Sequence, residues 1–112
     1  MANLGIFKNA VKTSIGNSFT EIYAAPATKT SYLIQCDISN TGSSGVQVSV
    51  RIVDDSASTT AHLVKGAPVP VGSAIQVIDG QKIVLEADDS IEIKCDTAGE
   101  SVDVILSLIE DV

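Results

Sequence analysis

The chain has 112 residues, enough for one domain that buries roughly 65% of its unfolded surface without metal or disulfide staples. Hydrophobic residues make up 45% and aromatics 4%, with no tryptophan; this excludes a disordered chain and leaves Val, Ile, Leu and Ala to build the core. Residues 1–53 hold Lys8, Lys12, Lys29 and Arg51 against Glu21 and Asp37, whereas residues 54–112 hold three lysines against twelve acids. An acidic body repels phosphate backbones, so nucleic acid is not an expected partner.

That charge serves solubility; a sharper reading has a basic N-terminal segment docking on an acidic partner. Apolar runs never approach 18 residues, so no membrane span is expected. The first sixteen residues lack a continuous apolar stretch preceded by lysines, so a secretory signal is not expected either. Synthesis in the cytoplasm follows as an expectation.

Residues 1–16 read as an N-terminal arm or edge strand, and 17–112 as a single β-sandwich domain. Helical spacing places Leu4, Phe7, Lys8 and Val11 on one face, but the β-branched and serine-rich continuation, with a turn at Gly16-Asn17, favours an extended segment. SFTEIYA alternates Phe19, Glu21 and Tyr23 against Thr20, Ile22 and Ala24, and ends at Pro26. TSYLIQCDIS is read with Tyr32, Ile34, Cys36 and Ile38 on one face. Residues 40–45 then form a turn cluster predicting a β-hairpin into VQVSVRIVD. There Val46, Val48, Val50 and Ile52 are expected inside and Gln47, Ser49 and Arg51 outside.

A polar loop at Asp54–Ser58 leads to a shorter strand, TTAHLVKG. Pro68 and Pro70 remove two donors, so Ala67–Gly72 is expected to cross between sheets. Asp79-Gly80 predicts a tight hairpin between AIQVI and KIVLE, and residues 87–90 a further turn before IEIKC. The last strand carries Val102, Val104, Leu106 and Leu108 on one face but also Ile105 and Ile109 on the other. Such a strand is central and covered, or part of a subunit interface. About eight short strands with frequent turns give the fold class: all-β, a two-sheet antiparallel sandwich of jelly-roll or immunoglobulin-like type, with an extended N-terminal segment.

Chemistry is sparse along these strands. His62, the single histidine, sits in a strand pattern with no G-x-S-x-G elbow in the chain. Asp54-Asp55 and Asp88-Asp89 match no calcium-loop spacing and suit turns that bond their own backbone. The eight glycines are scattered at turns and form no phosphate loop. Cys36 and Cys95 continue apolar alternations and read as buried thiols. A bond between them would constrain the unfolded chain by about 4 kcal/mol, while a reducing compartment keeps them free. No catalytic residues, metal or cofactor are expected, and an enzyme is not expected. Few aromatics disfavour sugar stacking, although a carbohydrate- or receptor-binding module stays open as an alternative.

Three stretches together resemble a known group. Tyr23 to Tyr32 fits Y-x-A-P-x-x-K-T-S-Y, and Val64 to Leu85 fits V-x-G-x-P-x-P-x-G-x-x-x-x-V-I-x-G-x-K-I-V-L. Val102 to Ser107 fits V-x-V-I-L-S. Over roughly residues 18–109 the chain resembles small β-sandwich virion proteins of tailed bacteriophages. The resemblance implies a structural role in the virion, foremost a capsid decoration (cement) protein, with a neck, tail or fibre component as alternative. It implies the major capsid protein or another virion protein as partner, and a homo-oligomer, with a trimer favoured. Lys8, Lys12 and Val11 in the N-terminal segment, and Ile105 and Ile109 in the last strand, are the expected partner-binding residues.

Overall fold

The computed structural model describes residues 5–97 and 102–110, and among these there is no helix. Its strands are β1 (Ile6–Ile15), β2 (Thr20–Ala24), β3 (Ser31–Asn40), β4 (Val46–Asp54), β5 (Thr59–Val69), β6 (Ala74–Leu85), β7 (Ser90–Cys95) and β8 (Val102–Glu110). They form two four-stranded sheets, ordered β1-β8-β3-β6 and β2-β7-β4-β5. Every pairing is antiparallel. Four pairs nest inside one another: β4 with β5, β3 with β6, β2 with β7, and β1 with β8. The chain doubles back once, at the turn between β4 and β5, and the doubled ribbon wraps around the core. That is a jelly roll. The immunoglobulin alternative falls, because every pair of consecutive strands except β4 and β5 is split between the sheets.

The alternation expected for β4, β7 and β8 holds. Val48, Val50, Ile91, Ile93, Val102, Val104, Leu106 and Leu108 are buried between the sheets, joined by Leu33, Ile38, Ile78 and Leu85. Each such side chain contributes about 1.5–3 kcal/mol of hydrophobic transfer free energy. Ser49, expected outside, is nearly buried instead, because its hydroxyl accepts the Gly66 amide at 3.0 Å where β5 bulges past β4.

Four sequence expectations are corrected. β3 and β4 do not form a hairpin: residues 41–45 carry the chain from one sheet to the other. Asp79-Gly80 is no turn either, since β6 runs unbroken from Ala74 to Leu85. A register shift against β3 absorbs the extra residues there, a bulge where a hairpin was expected. The turn before β7 exists, with Asp89 N–H donating to Glu86 O at 3.0 Å and Asp88 at φ +68°, but it too crosses between sheets. Finally, Ile34 and Gln35 together oppose Ser107 of β8, which reverses the phase of β3. Leu33, Cys36 and Ile38 point inward, and Tyr32 is displaced to the outer face.

The proline-rich stretch divides. Pro68 lies in β5, opposite Gln47, where the edge position tolerates a missing donor. The crossover is the tight turn from Pro70 to Ser73, closed by the Ser73 amide on Pro70 O at 3.1 Å. Cys36 and Cys95 are both free and buried. Burial, with Asp37 alongside, pushes the Cys36 thiol up to about 12. It therefore stays protonated and inert.

Candidate assembly face

The two faces of the β1-β8-β3-β6 sheet differ in what covers them. Its inner face packs on the second sheet, while its outer face carries a row of apolar side chains set by register. Phe7 of β1 opposes Ile109 of β8, Ile109 opposes Tyr32 of β3, and Tyr32 opposes Val84 of β6. Phe7 is 79% exposed, Val84 51% and Tyr32 36%. A second row begins with Val11 opposite Ile105, both about half exposed, and continues into Asp37 and Gln76. Large apolar side chains scattered singly need no explanation, whereas a row crossing four strands makes this face a candidate contact surface.

The chain approaches this row at Gly5. Its φ of +84° is the left-handed region, and a Cβ there would sit 2.8 Å from Ile109 Cγ2. Glycine is what lets the backbone pass so close to Ile109. The outer face also carries Asp37, Asp79 and Asp103, opposite or beside the apolar rows. Gln35 Nε2 donates to both Asp37 carboxylate oxygens at 3.0–3.1 Å.

Of the five residues singled out in the sequence, the sheet brings Val11, Ile105 and Ile109 together on this face. It separates Lys8 and Lys12 from them, because these oppose Leu108 and Val104, which point inward. Lys8 is occupied: its Nζ donates to Glu110 Oε1 at 2.9 Å. Glu110 Oε2 accepts the Tyr23 hydroxyl at 2.6 Å, and the Ser31 hydroxyl lies 2.7 Å from the same tyrosine oxygen. With its own proton committed to Glu110, Tyr23 accepts from Ser31. Four strands from both sheets meet in this network, which closes one end of the sandwich. Burial and the Glu110 carboxylate push Tyr23 up to about 12. The Tyr23 hydroxyl and then the Lys8 ammonium hold Glu110 below the usual carboxylate range.

A lowered folded-state pKa means that ionised Glu110 stabilises the fold at pH values above the unfolded carboxylate pKa, about 4.3. That contribution is lost as pH falls from there through the depressed native value. Melting temperatures of wild type and Glu110→Gln, compared from about pH 6 down to pH 2, should converge on acidification. A constant gap across that range would rule out the ionised network as its source.

The remaining candidates make contacts within the fold. Carboxylate oxygens of Asp54, Glu86 and Asp89 gather within 4.8 Å. Asp89 is buried and uses both oxygens on backbone amides, Oδ1 on Asp55 and Oδ2 on Glu86, each at 3.0 Å. It ties the β4–β5 turn to the crossover before β7. His62 packs edge-on to Phe19 with ring centroids 6.1 Å apart, and Arg51 lies 3.6 Å from the centroid of the same ring. Arg51 also donates from Nε to Glu92 Oε1 at 2.7 Å. Phe19, Arg51 and Glu92 thus satisfy one another on the outside of the second sheet.

No protein-family model and no curated protein matches the chain. Solved structures do match its fold. One, from work on Bacillus endospore appendages described as disulfide-linked pili, has a TM-score of 0.60 at 16% identity, covering 99% of this chain and 88% of that one. A second, from the acid-stable capsid of Helicobacter pylori bacteriophage KHP30, has a TM-score of 0.58 at 10% identity. It covers 100% of this chain and 90% of that one. The likeness is one of fold. In both cases the alignment spans most of each chain.

Proposed function

We propose that this chain is a structural protein of a virion, and that it decorates the head shell as a cement protein. The observation that carries the reading is the outer face: the jelly-roll core is filled, yet Phe7, Ile109, Tyr32 and Val84 form an apolar row across four strands. The KHP30 capsid chain supports the reading through shared fold, and the sequence resemblance to virion proteins supports it independently. The role is non-enzymatic. The partner is the major capsid protein or another virion protein, and the site of action is the capsid surface, after synthesis in the host cytoplasm. Small homo-oligomers at shell joints suit this role, and a trimer suits threefold positions.

Attachment in this reading is by apolar contact, with the acidic rim keeping the decorated particle soluble. Purified tail-less, expanded heads should bind the chain at tens to hundreds of copies, an order of magnitude set by interface repetition in a symmetric shell. Tyr32→Lys with Val84→Lys should weaken that binding roughly 100-fold, as loss of central apolar anchors does. The melting temperature should barely move, because both side chains project from the outer face. Equal binding by variant and wild type refutes docking by this face. The endospore appendage likeness favours a second reading, a neck, tail or fibre component. Co-purification in few copies with detached tails would establish that reading in place of the first.

A further inference from the structure

Four sheet edges exist in this sandwich, and three of them are blunted. β2 has five residues and a register break. β5 carries Pro68, which lacks an N–H, and two register breaks against β4. β6 is broken twice against β3. Interruptions of this kind are how sheets protect their edges from pairing with other chains. β1 differs. From Ile6 to Lys12 it runs in unbroken register with β8, and its only shift comes later, between Lys12 and Ile15. Over that stretch every residue but Ala10 is exposed, with Ile6 and Phe7 among the exposed apolar side chains. Its outward edge has no partner among the described residues.

We propose that the β1 edge pairs antiparallel with β1 of a second copy of this chain, about a two-fold axis passing Asn9. The register follows from the strand itself. The uninterrupted stretch Ile6–Lys12 is centred on Asn9, and pairing about that centre sets Phe7 opposite Val11 of the second copy. It sets Lys8 opposite Ala10 and Lys12 opposite Ile6, so no two lysines stand directly opposed across the seam. Outer face meets outer face, as a continuous sheet requires. The two apolar rows then join: Val84, Tyr32, Ile109 and Phe7 of one copy run on into Val11 and Ile105 of the other, and the symmetric row repeats beyond Asn9. The result is one eight-stranded sheet with an isologous seam, in which each contact occurs twice.

A second copy is favoured over a foreign strand because this sequence is self-complementary in that register. The inference goes beyond the virion reading and does not depend on it. Seven residues a side is a small contact, at the low end of interface sizes, so association is weak and reversible.

Sedimentation velocity of the full-length chain from roughly 10 to 500 µM, the range suited to so small an interface, should show a monomer–dimer equilibrium. Asn9→Cys places two thiols at the axis, within the 4.4–6.8 Å Cα separation a disulfide takes. Under mild oxidation it should give a reducible covalent dimer at least about tenfold faster than Val71→Cys, an exposed control away from β1. Phe7→Lys and Val11→Glu should each abolish the dimer, and the double variant F7K/V11E should restore it by pairing the new charges across the seam. A chain monomeric throughout that range, with Asn9→Cys crosslinking no faster than Val71→Cys, overturns the proposal. So does a β1 edge that becomes protected only when a foreign strand is added.

Discussion

Replacing Asn40 with aspartate should destabilise the fold by about 3 kcal/mol, the cost of stripping donors from buried carbonyls and setting a carboxylate against them. Asn40 is nearly buried, at the end of β3. Its Nδ2 donates to Ser44 O at 2.8 Å and to Val69 O at 3.0 Å, and its Oδ1 accepts the Gly42 amide at 2.9 Å. Its own amide donates to Ser73 O at 3.0 Å. One side chain therefore fastens the β3–β4 crossover to the end of β5, while its backbone holds the β5–β6 crossover. Aspartate keeps the acceptor for Gly42 and loses both donors. A fall in melting temperature on the order of 10–20 °C is the expected readout. A fall of less than about 2 °C would show that the crossovers hold without it.

The second large effect contrasts two neighbours. Leu106→Ala should cost about 2–5 kcal/mol, because β8 lies between β1 and β3 and Leu106 is wholly buried. Ile105→Ala, one residue away on the outer face, should cost under about 1 kcal/mol in the isolated chain. Chemical denaturation measures both. Comparable losses from the two substitutions would mean that the outer face is already covered in the isolated chain. The same pair separates stability from assembly, since only Ile105 belongs to the apolar rows.

Strand periodicity was legible wherever side chains alternate without interruption. VQVSVRIVD, SIEIKC and VDVILSLIE each placed their inward residues correctly, because a two-residue period needs only local sequence. Phase was lost at Ile34-Gln35, where a bulge inserts a residue that hydrophobicity alone does not reveal. Connections were the larger failure. Asn40–Gly45 and Asp79-Gly80 have good turn chemistry, but turn residues describe the bend of a backbone, not which sheet receives the next strand. In a jelly roll almost every bend leads to the other sheet, and Asp79-Gly80 is no bend at all.

The apolar outer face was half legible for a related reason. Val11, Ile105 and Ile109 stand out as apolar residues on the wrong side of a strand, a local signal. Phe7, Tyr32 and Val84 join them only through the registers of β1, β3 and β6 against their neighbours, and no local pattern carries a register between strands so far apart in the chain. The ion pair of Lys8 was not legible, because its acidic partner, Glu110, lies 102 residues away.

The nesting of strand pairs also governs the order in which this molecule comes into being on a ribosome. The β4–β5 hairpin closes over four residues, whereas β8 must emerge before it can fill the place between β1 and β3. Synthesis at roughly 5–20 residues per second leaves β1 waiting several seconds for its partner strand. Pairings so distant in sequence also form slowly once available. The rows through Phe7, Ile109, Tyr32 and Val84 do not exist until that last strand is seated. A partner of the kind proposed for this face would therefore meet it on finished chains only.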